Sequence, residues 1–255
     1  MKILEGKKKK YLIIGILLAV ALVQAVLLAV DMRHYKAAQL EYDNIRETYV
    51  KENASAQDLR PKLTVDMDKL RKQNSDVTGW LYYPYLNLSY PVVKETEIDE
   101  YLYKTFDGSE NKSGCLYEDV LSSADFCGKH DVIFGHNMKD GSMFGNLKTL
   151  TGSSVAFLTG DNDKLYVYTD DKIYQYKVFA YYATSNGSGA YSVVSTDGEY
   201  DSFVAFIKRN NALSKPDYGI LENRPSILTL STCSGSGGKE GRFVVHCVKI
   251  NTWDK

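Results

Sequence analysis

One segment limits this chain more than any other. Residues 11–30 read YLIIGILLAVALVQAVLLAV, twenty positions without a charge and with Gln24 as the one strongly polar side chain. As a helix rising about 1.5 Å per residue it spans roughly 30 Å, the thickness of a bilayer's hydrocarbon core. A cleaved leader normally carries only about 7–15 apolar residues, and a buried core helix shows a polar stripe that this segment lacks. The segment predicts a transmembrane anchor. Residues 1–10 hold five lysines against Glu5, a net +4 set beside a whole-chain charge of −1, which leaves −5 for the rest. The lysine cluster places residues 1–10 in the cytoplasm and residues 31–255 outside, a single-pass topology at the cell membrane.

The near balance of 31 Lys+Arg against 32 Asp+Glu argues against nucleic acid as a partner, since such proteins show a basic excess. Cys115, Cys127, Cys233 and Cys247 all fall in the outer part. Their even number leaves a Cys115–Cys127 bridge as one option, but a domain of this size needs no staple and the spacings form no familiar framework. Cys127, His130 and His136 include zinc-type ligands, at a spacing that fits no common structural site, so no metal is expected.

Residues 35–75 are rich in helix formers, with Leu40, Ile45 and Val50 as apolar positions, a break near Pro61, and Leu63, Met67 and Leu70 continuing the pattern. One or two amphipathic helices follow, either a solvated stalk or a layer packed on the domain. From Gly79 onward short β-branched and aromatic runs alternate with turns, at 80–84, 90–93, 115–117, 131–136, 165–169, 173–184, 226–232 and 242–250. About eight strands predict a mainly β fold, a barrel or a sandwich. Two helical interruptions are expected, at 98–106 and at 201–213, the second with Asp201 as N-cap and Phe203, Val204, Phe206 and Ile207 as its apolar face.

Two strand ends carry the candidate chemistry. One closes on Gly135-His136-Asn137-Met138; the other runs Thr229-Leu230-Ser231-Thr232-Cys233, and nine residues later Arg242 opens a further strand. A cysteine thiolate is a strong nucleophile, an imidazole moves protons near neutral pH, and a guanidinium stabilises an oxyanion. Together the three make an acyl-transfer site that works through a thioester. His246 and Cys247, mid-strand, are taken as packing and surface residues.

These motifs resemble the sortases, specifically class B. The likeness extends to Asn74-Ser75-Asp76-Val77-Thr78-Gly79-Trp80, Tyr90-Pro91-Val92-Val93 and Gly141-Ser142-Met143-Phe144-Gly145-Asn146-Leu147. It implies an eight-stranded β-barrel with N-terminal helices, a helix inserted before the cysteine-bearing strand, and a catalytic domain over residues 76–255. It also implies a cysteine transpeptidase without a cofactor. Cys233 would attack a threonyl carbonyl in the sorting signal of a surface protein, His136 would act as acid and base, and Arg242 would steady the oxyanion. A peptidoglycan-precursor or pilin amine would accept the acyl group. Ser231 and Leu102, the latter on the helix expected at 98–106, match positions that line the substrate groove. A membrane-anchored cysteine protease and a non-catalytic adhesin are the other classes this composition allows.

Overall fold

The computed structural model describes residues 2–52, 63–151, 158, 160–235 and 240–255, with side chains from residue 10 onward. Pro61 lies outside the described residues. The chain opens with a single helix, α1 (Lys2–Tyr49), that runs through the apolar segment without a break. It is long and apolar enough to cross a membrane, and none of its apolar window is buried against protein.

The last third of α1 is docked. Ala38, Tyr42 and Ile45, spaced 4 and 3 apart, form its buried stripe. Tyr42 Oη donates to the Gly114 carbonyl at 2.7 Å, and Arg46 donates to the Ser89 carbonyl at 3.3 Å. Leu40, expected on the apolar face, is instead exposed, because it lies two residues from both Ala38 and Tyr42 and therefore on the opposite side of the helix. The region expected as one or two helices then changes character. Strands β1 (Val50–Glu52) and β2 (Leu63–Val65) pair antiparallel, and only the short helix α2 (Met67–Gln73) continues the helical pattern, capped by Asp66.

Eight further strands close a barrel: β3 (Val77–Tyr83), β4 (Leu88–Lys94), β5 (Leu116–Glu118), β6 (His130–Phe134), β7 (Lys164–Tyr168), β8 (Lys172–Ser185), β9 (Ile227–Cys233) and β10 (Gly241–Asp254). Their order around the barrel is β10-β8-β7-β3-β4-β5-β6-β9. The β4–β5 and β6–β9 pairs are parallel and the rest antiparallel. Each expected run became one strand, and the barrel, not the sandwich, is the architecture.

Helix α3 (Asp197–Asn210) follows β8 and precedes β9. It begins four residues before the expected start, since Thr196 and Glu199 form a reciprocal capping box while Asp201 is spent on Arg224 at 2.8 Å. Tyr200, Phe203, Val204 and Ile207 pack on the barrel's outer wall, making a second apolar cluster with Phe179, Tyr182, Val244 and Val248. The helix expected at 98–106 does not form. Asp99 sits at φ 63, a left-handed conformation that interrupts any helix, and the segment is a chain of turns.

Strand periodicity sorts the side chains of three neighbouring strands. Leu228 and Leu230 of β9 and Phe243, Val245 and Cys247 of β10 join the barrel core. Thr229, Ser231 and Cys233, with Arg242, Val244 and His246, therefore point to the outer face, since successive strand residues alternate sides. His246 is fully buried, not a surface residue, because α3 covers it.

Candidate active site

One end of this outer face opens into a cleft of about 280 Å³, whose walls include Leu102, His136, Ser231, Cys233 and Arg242. All five residues expected in the site are brought together, although 34 to 140 positions separate Leu102 from the others in sequence.

Cys233 is the last residue of β9 and is exposed. Its direct partner across the β9–β10 ladder is Arg242. Directly opposed residues on one face hold their Cβ atoms about 4.5–5.5 Å apart, so the two side chains leave the ladder side by side. Tertiary pairing, not chain proximity, makes this neighbourhood.

His136 follows β6. The Gly135 N–H donates to the Ser231 carbonyl at 3.1 Å, which extends the β6–β9 pairing by one step and delivers the next side chain to the cleft. A Cβ at Gly135 would fall 2.4 Å from Leu116 and 2.7 Å from Phe144, so only glycine fits that step. The ring of His136 is half-buried. Its Nε2 lies 2.6 Å from the Leu102 carbonyl oxygen, which can only accept, so Nε2 carries the hydrogen. Nδ1 is then the nitrogen that can exchange a proton. Tyr103 packs on the ring with centroids 5.7 Å apart. Leu102 thus serves the histidine through its backbone while its side chain lines the cleft, from a turn rather than the expected helix. Gly114, at φ +59, lets the 101–103 turn approach, since a Cβ there would lie 2.5 Å from the Leu102 carbonyl.

Ser231 is fully buried, and its hydroxyl lies 2.8 Å from Tyr191 Oη. The Tyr191 ring stacks on Phe134 at 5.7 Å, and Phe134 meets Tyr117 at 5.6 Å. Phe134 and Tyr117 line the cleft, and Tyr191 backs Phe134 and Ser231 from behind. These aromatics were not singled out from the sequence, because a chain with twenty tyrosines gives no local signal for any one of them. Thr232 was missed as well. Its hydroxyl is buried beside Cys233 and has no hydrogen-bond partner among the described residues.

The far end of the cleft is acidic, lined by Glu95, Asp99 and Asp119. Burial pushes the Glu95 carboxyl up to about 7, partly countered by the Tyr101 N–H donated to it at 3.1 Å. Arg242 at the other end leaves the cleft bipolar.

The four cysteines are free, and the Cys115–Cys127 bridge is not made. Cys115 is buried against the Pro91 carbonyl, while Cys127 is exposed and touches Tyr174 Oη at 3.3 Å. Among the described residues no three His, Cys, Asp or Glu side chains gather into a metal-binding group. Asn111 is buried and donates its side-chain amide to the His34 carbonyl at 3.0 Å.

The family model of the sortase domain matches residues 81–250 of this chain. Sortase B of Listeria monocytogenes is 25% identical over 233 residues, which cover 91% of this chain and 92% of that protein. The crystal structure of sortase B from Bacillus anthracis in complex with AAEK1 superposes with a TM-score of 0.70 at 25% identity, covering 86% of this chain and 99% of that one. The Staphylococcus aureus sortase B–substrate complex has the same fold, with a TM-score of 0.68 at 21% identity over 86% of this chain and 99% of that one.

Proposed function

This chain belongs to the sortase family of cysteine transpeptidases that anchor surface proteins, and on that premise we propose that Cys233, His136 and Arg242 are its catalytic residues. The observation that carries the assignment is the cross-strand pairing of Cys233 with Arg242 at a cleft into which the end of β6 delivers His136.

Cys233 first passes its thiol proton to Nδ1 of His136, and the resulting thiolate attacks the carbonyl carbon of a threonine in the sorting signal of a surface protein. A C–S bond forms, and the carbonyl π electrons move to oxygen, where the Arg242 guanidinium stabilises the charge. The tetrahedral intermediate collapses by breaking the C–N bond, and His136 hands the departing amine a proton from Nδ1. The threonyl group is now held as a thioester. An amine of a peptidoglycan precursor or of a pilin lysine then loses a proton to Nδ1 and attacks the thioester. The new C–N bond forms and the thiolate leaves, ready for another cycle. With Nε2 fixed on the Leu102 carbonyl, the ring presents Nδ1 in both halves of the reaction. Ser231 and Leu102 line the groove in which the signal peptide lies, with Phe134 and Tyr117 as its aromatic wall and Tyr191 behind Phe134. No cofactor and no metal enter these steps.

Residues 1–10 lie in the cytoplasm and 11–30 span the membrane. Residues 31–75 tie the span to the outer domain, 76–255, which faces the wall. Docking by Tyr42 and Arg46 supports this arrangement, because it holds the cleft-bearing barrel close to the end of the span.

The test is cleavage of a fluorogenic library of sorting-signal pentapeptides by the full chain in detergent micelles, with and without a small amine. A peptide cleaved faster when amine is added, with the amine in the product, is the expected result. Cleavage that ignores the amine would assign a protease instead.

A further inference from the structure

Two of the four histidines are buried where the proposed chemistry has no use for them. His130 opens β6, and His246 lies midway along β10. A chain of hydrogen bonds joins them. Tyr182 Oη is 2.9 Å from His246 Nε2, and His246 Nδ1 is 2.8 Å from Thr229 Oγ1. Thr229 Oγ1 is 2.8 Å from His130 Nε2, and His130 Nδ1 is 2.8 Å from the Ser192 carbonyl oxygen.

The hydrogens can be assigned from one end. A carbonyl only accepts, so His130 Nδ1 donates to it. Burial drives His130 down to about 4 and His246 well below the usual histidine range, the latter helped by the facing His130, so both rings are neutral. Neutral His130 must accept at Nε2, and the Thr229 hydroxyl supplies that hydrogen. Thr229, its one hydrogen spent, accepts from His246 Nδ1. His246 Nε2 accepts from Tyr182. Four bonds point the same way, and no donor or acceptor is left over. From α3, Phe203 packs on both rings, with centroids 4.2 Å from His130 and 5.8 Å from His246; from β8, Phe179 and Tyr182 pack on His246. The titratable groups facing the two rings are each other and Tyr182.

The chain ends on a functional element. Ser192 terminates the 3₁₀ turn Gly189–Tyr191, and Tyr191 is the residue bonded to Ser231 and stacked on Phe134 at the cleft. Two anchors therefore hold Tyr191 behind the cleft: Tyr191 on Ser231, and Ser192 on His130. We propose that His130 is a positioning residue for the cleft, which through the one-way chain Tyr182–His246–Thr229–His130 fixes the Ser192 carbonyl and with it Tyr191, the buttress behind the Phe134 and Ser231 lining against which substrate lies. The inference rests on reading the cleft as a peptide site.

The experiment uses the full chain in micelles, labelled with ¹⁵N at histidine. His130 and His246 should both be neutral Nδ1–H tautomers from pH 8 to 5. Thr229→Val and His130→Leu should weaken the NMR ring contacts between Tyr191 and Phe134. They should also raise KM for a cleaved pentapeptide about three- to tenfold, the worth of one hydrogen bond, with kcat within about twofold. His130→Asn, whose amide can still donate to the Ser192 carbonyl, should recover most of the loss. An Nε2–H tautomer at either buried histidine overturns the proposal, and so does a folded Thr229→Val protein with unchanged KM and ring contacts. A wild-type chain that cleaves no sorting peptide would instead refute the function proposed above, with the tautomers and the Tyr191–Phe134 contacts still deciding this inference.

Discussion

The same three strands carry both halves of an instructive contrast. At one end of the outer face β6, β9 and β10 contribute His130, Thr229 and His246; at the other the same strands lead to His136, Cys233 and Arg242. Each end has a directly opposed β9–β10 pair, Thr229 with His246 and Cys233 with Arg242, and a histidine from β6 or the residues just after it. What differs is the cover. Helix α3 seals the first end with Phe203, Val204 and Ile207, and the imidazoles beneath it stay neutral because an ion there would lose its hydration. Among the described residues no helix lies over the second end, where Cys233 is exposed and His136 half-buried, open to a ligand in the cleft. Coverage, more than identity, separates a sealed histidine from an open one.

Changes at the open end should show the largest effects. Cys233→Ala and His136→Ala should abolish both cleavage and amine transfer while leaving the melting temperature within a few degrees; retained turnover in either would end the mechanism. Arg242→Ala should lower kcat by about 10²–10³-fold, the loss expected for one oxyanion donor, with a smaller change in KM.

At the covered end the readout moves to stability. Phe203→Ala should cost about 3–5 kcal/mol in urea unfolding, and should let His130 and His246 titrate closer to the ordinary histidine range. Without that upward shift, burial under α3 is not what separates the two ends.

The pH dependence sharpens the contrast further. His130 binds protons more weakly folded, at about 4, than unfolded, near 6.5. Its contribution is therefore complete above pH 6.5 and is lost as pH falls from there toward 4, by roughly 3 kcal/mol in all. Buried Glu95, raised to about 7, titrates with the opposite sign over part of this range, so the useful quantity is the difference between wild type and His130→Asn. The variant should flatten the acid loss of unfolding free energy between pH 6.5 and 4. The smallest effect is expected at the junction of the two ends: Tyr191→Phe removes one hydrogen bond to Ser231, for about 1 kcal/mol of stability and a severalfold higher KM.

Much of this was legible along the chain. The uncharged run at 11–30 and the lysines before it are local signals, and so are the eight alternating runs that became strands. The strand ends carrying His136, Cys233 and Arg242 were readable for the same reason: a short motif keeps its residues within one element. The turn at 98–103 was misread because Ile98, Tyr101 and Leu102 have helical spacing, whereas the left-handed Asp99 and the carboxylate of Glu95 settle the backbone there. The start of α3 was misplaced because Asp201 and Thr196 are both good caps. Only the Glu199 side chain, reaching back to the Thr196 N–H at 2.8 Å, distinguishes them.

By itself, then, the amino-acid order determined a membrane-length helix, a strand-rich domain and three candidate catalytic residues at strand ends, since periodicity, length and capping act over a few residues. Only the closed barrel decided that Arg242 lies across from Cys233, that Leu102 holds His136 by a carbonyl, and that Tyr191 backs the cleft through Ser231 and Phe134. It also decided that α3 buries His130 and His246 while His136 stays open. Register and coverage arise when distant strands pair and a helix lands on them, and they depend on the summed packing of the whole sheet rather than on any one stretch of sequence.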